Sequence, residues 1–185
     1  TVMSKVVDPA TRLQMAKYPG GIMFELGCHV LDLVIALLGK PDHVSPFAKH
    51  SSPIQDTLLD NMLAVLDYPK ATATVKSAAI EVDGFARRHL VVCSSEGTFH
   101  IQPLDDPSVR LTLSKPRGAW AAGAQDVSFP KYTRYVGDAA DMAKIIRGEK
   151  SSDFSSQHDL IVQETLLQAS GLMKVDRPQK YSSLC

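Results

Sequence analysis

The chain has 185 residues, 44% of them hydrophobic, and its 20 basic and 20 acidic side chains give a formal net charge of zero. This length is sufficient for one domain with a buried core, and we expect residues 1–185 to form a single domain. The charge balance excludes a strong overall attraction to nucleic acids or anionic membranes, so we expect a small-molecule ligand, no nucleic-acid partner and no membrane association.

The cysteines indicate the redox compartment of the protein, and the N-terminal segment indicates whether the chain begins within a longer protein. Cys28, Cys93 and Cys185 are odd in number and have no metal-type spacing, which favours a reducing compartment, and we predict the cytoplasm. The segment 1–14 has neither an initiator methionine nor the order of a signal peptide. We therefore expect the chain to begin within a longer protein.

The first predicted elements are a short β segment over residues 1–7, an irregular stretch that ends at Gly20 and Gly21, and an apolar helix over residues 22–38. Gly39 and Pro41 predict the end of this helix, because glycine adopts a left-handed turn readily and proline cannot continue a helix. Ionisable side chains within the apolar run are costly in a lipid bilayer. The pattern thus predicts a buried helix rather than a membrane span.

From His43 to Ser114 the hydrophobic pattern changes to that of β-strands. The segments "NMLAVLDY" and "ATATVKSAA" predict a hairpin, "RHLVVCS" and "TFHIQ" predict a second, and "VRLTLS" predicts a further strand. In the first hairpin Thr72, Thr74 and Lys76 alternate with small and apolar residues, which is typical of a sheet with only one covered face. We expect the uncovered face to be available for dimerisation.

Residues 115–131 are rich in Gly, Ala and Pro, and we predict a long connection there. Two amphipathic helices are predicted to follow, one ending at Gly148 and one carrying an apolar stripe from Val162 to Met173. This order predicts an α+β fold: a largely antiparallel, mixed open sheet with helices packed on one face. The sequence contains no G-x-G-x-x-G or P-loop motif, so we predict no Rossmann unit in this chain.

Glu25, His29 and Asp32 form the one constellation with evident chemistry. Their spacings of four and three place them on one side of a helix, where the Glu25 carboxylate can orient the His29 imidazole for acid–base catalysis. Gly21 and Gly27 permit close approach of a backbone or ligand near them. From spacing alone, a structural role for the three polar residues is favoured, and a metal pair formed by Glu25 and His29 ranks lowest because no third ligand is nearby.

Other candidates are weaker. Arg12 and Lys17 could contact a substrate, although we interpret them as solvated. Tyr132 and Tyr135, flanked by Lys131 and Arg134, could line a pocket after the long connection, although aromatic residues at such a junction more often pack on the domain. Trp120 could be a loop lid or a dimer contact. The remaining histidines lack a charge partner at helical spacing and are predicted to be surface or strand residues: His43, His50, His89, His100 and His158.

The run "GGIMFELGCHVLDLVIALLGKPDHV" resembles the G-G-x-x-x-D-x-G-x-H-x-x-D signature of the glucose-fructose oxidoreductase / inositol dehydrogenase / MocA-like family of NAD(P)-dependent oxidoreductases. The segments "LLDNMLAVLDYP", "HLVVCSSEGTFHI" and "DAADMAKIIRGEK" resemble further parts of that family's C-terminal domain. The resemblance therefore extends over essentially the whole chain and identifies it as a C-terminal domain of this family.

This resemblance implies a substrate-binding and oligomerisation domain, with NAD or NADP bound mainly by an N-terminal domain that is absent from this chain. It implies that His29 is an acid–base or substrate-binding residue, that Glu25 stands where the family has an aspartate, and that Asp32 is a trailing, structural carboxylate. Gly21 and Asp32 are further candidates for substrate contact. The expected substrate is a sugar, a polyol or a related hydroxy compound, and the expected assembly is a homodimer or homotetramer.

Two departures from the family pattern accompany the resemblance. Glu25 is one methylene longer than the family aspartate, and the chain has no Glu-Lys-Pro motif, so we expect it to be inactive by itself. The alternative interpretation is a non-catalytic relative that binds a ligand or a partner.

Overall fold

A computed structural model describes residues 1–106, 108–131, 133 and 135–174. The helices are α1 (Pro9–Met15), α2 (Cys28–Leu38), α3 (Val136–Ile146) and α4 (Ser156–Ala169), and a single π-helical turn (Met23–Gly27) leads directly into α2. The strands are β1 (Val2–Ser4), β2 (His43–Lys49), β3 (Asn61–Tyr68), β4 (Ala71–Ala78), β5 (Leu90–Ser94), β6 (Gly97–Ile101), β7 (Ser108–Leu113) and β8 (Gly123–Ser128).

The strands form two four-stranded sheets, with the orders β1-β4-β3-β2 and β5-β6-β7-β8. All pairings are antiparallel except that of β1 with β4, which is parallel. One antiparallel bridge, between Val2 of β1 and His89 just before β5, joins the two sheets at their edges. The predicted α+β fold with a mixed, open sheet is confirmed.

Helices α2 and α4 and the π-helical turn cover one face of the first sheet. Alternate residues of β3 are buried against them, whereas the residues between are only half-buried. The apolar face of the predicted helix supplies the other half of this core. Its main contributors from the helix are Ile22, Met23, Val30, Leu31, Val34 and Ile35, and those from β3 and β4 are Met62, Leu66 and Val75. Each fully buried aliphatic side chain contributes about 1.5–3 kcal/mol to folding, so this interface dominates the stability of the chain.

Both predicted hairpins are confirmed, because β3 pairs with β4 across Pro69 and Lys70, and β5 pairs with β6. Two predictions for irregular segments are wrong. The stretch before Gly20 contains α1, whose N-cap Asp8 accepts hydrogen bonds from the backbone N–H groups of Ala10 and Thr11, both at 3.0 Å. The predicted connection over residues 115–131 contains β8, which is held by six paired positions along β7.

The two C-terminal helices are present as predicted, but only one of them packs on the sheet. Leu166 and Ala169 of α4 are buried in the core, whereas α3 has no buried residue and exposes Val136, Met142 and Ile146. The apolar stripe of α3 therefore has no covering surface within the part of the chain that the structure describes. No helix among the described residues is both long enough and apolar enough to cross a membrane.

Candidate functional site

The candidate site lies along the helix that begins near Gly21 and ends at Leu38. Gly39 terminates this helix with a positive φ of 75°, and its N–H donates a hydrogen bond of 2.8 Å to the carbonyl of Ile35. The π-helical turn over residues 23–27 contains Glu25 and leads into α2, which carries His29 and Asp32. Such turns are rare and frequently occur at functional sites.

Glu25 and His29 are both exposed on this helix. The structure records no hydrogen bond or ion pair for either side chain, with each other or with any other described residue. Since both are in contact with solvent, leaving them unpaired costs little. The Glu25 carboxylate and the His29 imidazole are therefore each free to bind an incoming hydroxyl group.

Asp32 is held by a residue that the sequence did not predict. Its Oδ1 lies 2.7 Å from Nε2 of His158, which stands in the first turn of α4. His158 has no charge partner at helical spacing, but the prediction that it is a surface or strand residue is wrong, because it lies in α4 and bonds to a partner 126 residues away in the chain. The imidazole is only 16% exposed, so the contact joins α4 to α2 immediately beside His29.

A cleft of about 440 Å³ opens at the start of the same helix. Gly21 and Glu25 lie in its wall, together with Gln14, Met15, Tyr18, Pro19 and Phe24. His29 and Asp32 are not among the lining residues. The structure thus brings Gly21 and Glu25 together at the cleft, and places His29 and Asp32 beyond it on the helix.

The glycines near the site approach the protein's own chain closely. A Cβ atom on Gly21 would lie 2.6 Å from the carbonyl oxygen of Leu59, and one on Gly27 would lie 2.4 Å from the sulfur of Met23. In addition, the N–H of Ile22 donates a hydrogen bond of 2.9 Å to the Leu59 carbonyl. The segment before β3 is therefore packed directly on the start of the site helix.

Arg12 is neither solvated nor directed at the cleft, so that prediction is wrong. Its side chain is 1% exposed and donates to both carboxylate oxygens of Asp56, at 2.7 and 3.0 Å, and to Asp60 at 2.8 Å. The Arg12 guanidinium lowers the pKa of Asp56 below its usual range. Lys17, by contrast, is exposed, and its ammonium group donates a hydrogen bond to the side chain of Gln14.

His50 is an exposed residue, as predicted, and it has charge partners that do not lie at helical spacing in the sequence. Its Nδ1 is 3.5 Å from Asp56 and 3.9 Å from Asp60. The hydrogen bond to the carbonyl of Leu58 is the main cause that raises the pKa of the His50 imidazole. Arg12, His50 and the two aspartates form a single cluster, which sequence reasoning missed because Arg12 is 44 and 48 residues from its partners.

The remaining candidates are accounted for as follows. Trp120 is 44% exposed, and its backbone pairs with Arg117. Tyr135 is 70% exposed with a φ of 67°, whereas Tyr132 and Arg134 lie outside the described residues. Burial raises the pKa of the Cys28 thiol, whose sulfur lies 3.6 Å from the carbonyl of Glu25. Within the described ranges, no three His, Cys, Asp or Glu side chains are grouped to hold a metal ion.

A family model described as the GFO/IDH/MocA C-terminal domain matches residues 3–100, a range that includes the site helix and strands β2 to β5. A search of curated proteins gave no match.

Solved structures share the fold at low sequence identity. The UDP-N-acetylglucosamine 3-dehydrogenase GnnA from Acidithiobacillus ferrooxidans is 14% identical with a TM-score of 0.70, and the match covers 92% of this chain and 52% of that one. An oxidoreductase from Agrobacterium radiobacter in complex with NAD+, L-tartaric acid and magnesium is 12% identical with a TM-score of 0.70, covering 95% of this chain and 54% of that one. The chain therefore spans about half the length of these structures.

Proposed function

The chain belongs to the GFO/IDH/MocA family, whose C-terminal domain it matches, and from this membership we propose that it is the substrate-binding and oligomerisation part of an NAD(P)-dependent oxidoreductase. The intact enzyme would transfer a hydride between a nicotinamide cofactor and a sugar, a polyol or a related hydroxy compound. In this proposal the dinucleotide is bound mainly by an N-terminal domain, and the 185-residue chain acts as part of a longer protein.

The observation that carries the proposal is the pair Glu25 and His29. Both are ionisable, both are exposed, and neither has a recorded partner among the described residues. Asp32, the third member of the constellation, already bonds to His158. The free pair thus has the character of a binding or catalytic group, and Asp32 that of a positioning group.

The chemistry of this pair fits alcohol oxidation. When the hydride leaves the carbon of a secondary alcohol, its hydroxyl proton must be removed, and a neutral imidazole can accept it. In our proposal His29 accepts the hydroxyl proton as the C=O bond forms and returns it in the reverse reaction. Glu25, in the cleft wall, accepts a hydrogen bond from the same or a neighbouring hydroxyl and fixes the orientation of the substrate.

A bound nicotinamide would accept the hydride. The helix fits such chemistry because the imidazole of His29 would accept the proton that leaves the same alcohol. Asp32 holds the His158 ring at 2.7 Å and so attaches α4 to the helix that carries His29. Catalytic geometry tolerates displacements of less than about 1 Å. This attachment therefore contributes to the placement of His29.

Substrate class, assembly and location are parts of the same proposal. The relative GnnA is named a UDP-N-acetylglucosamine 3-dehydrogenase, which supports a sugar-like substrate here. The half-covered first sheet supports a homodimer or homotetramer formed through its open face. The cysteine content supports a cytoplasmic location.

The decisive experiment uses the intact protein that contains this chain. It would be assayed with NAD+ and NADP+ against a panel of sugars, polyols and hydroxy acids, with nicotinamide absorbance as the readout. We expect His29→Ala to lower turnover by about 10²- to 10⁴-fold, the range for loss of an acid–base group. His100→Ala, a strand histidine far from the helix in sequence, is the matched control and should leave turnover unchanged. Equal turnover of wild type and His29→Ala would refute the assigned role.

Glu25 favours a second candidate, a relative that binds the same ligand class without oxidising it. The extra methylene moves the carboxylate outward relative to an aspartate, and this alone can remove a catalytic alignment. Glu25→Asp distinguishes the candidates. A rise in nicotinamide reduction from an inactive wild type would support the non-catalytic relative, whereas a loss of existing turnover would show that Glu25 is the functional residue.

A further inference from the structure

The segment that connects β2 to β3, residues 50–60, is closed by the ring of His50, and we call it the 50–60 loop. Nδ1 lies 2.8 Å from the carbonyl oxygen of Leu58, and Nε2 lies 3.1 Å from that of Ile54. A carbonyl oxygen can only accept a hydrogen bond. Both ring nitrogens must therefore carry a proton for both bonds to form, which makes the imidazolium the form that fits this loop.

The charges around His50 lead to the same conclusion. The titratable groups that face it are Asp56 and Asp60 from the loop itself, with Arg12 of α1 behind them. The two carboxylates are 1% and 0% exposed, and Arg12 is 1% exposed. With a protonated His50 the cluster holds two positive and two negative charges. The His50 side chain is 32% exposed and can exchange its proton with solvent, whereas deprotonation would leave one unbalanced negative charge on the two buried carboxylates, which is unfavourable.

The same carboxylates determine the path of the loop. Asp60 accepts hydrogen bonds from the backbone N–H groups of Ser51 and Ser52, at 2.8 and 3.2 Å, and Asp56 accepts one from Leu58 at 3.0 Å. Loop closure therefore depends on one charge network that includes His50. Any change in that network acts on the backbone of the whole loop.

The far end of the loop reaches the candidate site. Leu59 accepts the hydrogen bond from Ile22 and leaves no room for a side chain on Gly21, which lies in the wall of the cleft. Glu25 lines the same cleft. A shift of Leu59 would consequently move the wall against which a ligand at Glu25 is bound.

We propose that the 50–60 loop is a pH-sensitive clasp: the His50 imidazolium holds it closed by bonding to Leu58 and Ile54, and loss of the proton releases the loop and alters the cleft at Gly21. This inference goes beyond the proposed oxidoreductase function and does not depend on it. The clasp would operate in the same way for any ligand of the cleft.

The direction of the pH effect follows from linkage. Hydrogen bonding to Leu58 raises the pKa of His50 in the folded chain, whereas an unfolded histidine has a pKa of about 6.5. The stabilisation from His50 is thus fully present below about pH 6.5 and is lost as the pH rises through the folded-state pKa. The loop should be closed in mildly acidic solution and should loosen at alkaline pH.

The test is an NMR titration of the ¹⁵N-labelled chain from about pH 5 to about pH 9, a range that spans histidine ionisation. We expect both ring nitrogens of His50 to be protonated at the acidic end, with a midpoint above that of the same residue in the urea-unfolded chain. The backbone amide signals of Leu59, Ile22 and Gly21 should shift with that same midpoint. Because this titration needs no variant, it does not depend on any mutant folding.

Two variants complete the experiment. In His50→Gln the alkaline shift of the Leu59 and Gly21 signals should disappear, whereas in the control His100→Gln it should persist. The proposal is overturned if His50 has a single ring proton at the acidic end, if its midpoint is at or below the unfolded value, or if the Leu59 and Gly21 signals do not follow it. It is equally overturned if His50→Gln retains their alkaline shift.

Discussion

Gly21 is subject to two constraints that a side chain cannot satisfy together. Its φ of +58° lies in the left-handed region, and a Cβ atom there would meet the Leu59 carbonyl at 2.6 Å. Left-handed backbone costs a non-glycine residue about 1–2 kcal/mol. The contact with Leu59 adds to this cost, because a backbone atom cannot move aside as the end of a flexible side chain can.

We therefore expect Gly21→Ala to lower the free energy of unfolding by about 1–3 kcal/mol, the usual cost of a strained backbone position. Urea denaturation followed by circular dichroism would measure it. Gly137→Ala is the control, since a Cβ on Gly137 of α3 meets nothing within 4 Å, and replacing a helical glycine by alanine stabilises by about 0.5–1 kcal/mol. Equal stability of Gly21→Ala and wild type would show that the loop and the helix separate easily at this point.

The candidate site was predictable from the sequence where its members share one helix, and only there. Glu25, His29 and Asp32 were located by spacings of three and four residues. The residues around them could not be predicted, because the partners come from distant segments. Asp32 bonds to His158, and Arg12 bonds to Asp56 and Asp60. Local spacing carries no information on such contacts, which form only when the elements pack.

Helices α2 and α3 have similar apolar stripes but very different surroundings. The π-helical turn and α2 bury Met23, Val30, Leu31, Val34 and Ile35, whereas α3 buries nothing. An amphipathic pattern therefore predicts that a helix forms, but it does not establish that the apolar side is covered within the same chain.

Two methionines allow this contrast to be measured. Met23 is fully buried and Met142 of α3 is 56% exposed. We expect Met23→Ala to destabilise the chain by about 2–5 kcal/mol, as for other large-to-small core substitutions. Met142→Ala should change the free energy of unfolding by less than about 0.5 kcal/mol. Urea denaturation of both variants provides the measurement, and a large loss in Met142→Ala would mean that α3 packs on the domain in solution.

The elements that sequence analysis missed each have a physical reason. Asp8 followed by Pro9 is an N-cap and first-turn signal that would have predicted α1. Pro46 disfavours a strand, yet β2 tolerates it as an edge strand, which needs fewer N–H donors. β8 has low strand propensity and forms because β7 provides its pairing partner, with Arg110 bonded to Asp126 across the ladder.

The first sheet has one face covered by helices and one face open. On the open face, Phe47 of β2 is 55% exposed and pairs in register with Leu63, while Val65 lies beside Ser45 and Thr74. Apolar side chains surrounded by Thr and Ser resemble the centre and rim of a protein interface. A two-fold symmetric assembly would place this surface against its own copy, so that each apolar residue is buried once in each of the two chains.

We therefore expect the chain to form a dimer through the open face, and Phe47→Glu to shift it to a monomer, because each dimer would bury two unpaired carboxylates at its centre. Light scattering or analytical ultracentrifugation over a range of concentrations would give the mass. Phe129→Glu is the matched control, since Phe129 is 49% exposed but lies just after β8, outside this sheet; it should leave the dimer intact.

A monomeric wild-type chain at every concentration would refute the assembly, and equal dissociation by both variants would place the interface elsewhere. Dimerisation that fails only in Phe47→Glu, with an unchanged circular dichroism spectrum, would assign the contact to the face opposite the site helix. The cleft at Gly21 and Glu25 would then remain open to substrate in the assembled protein.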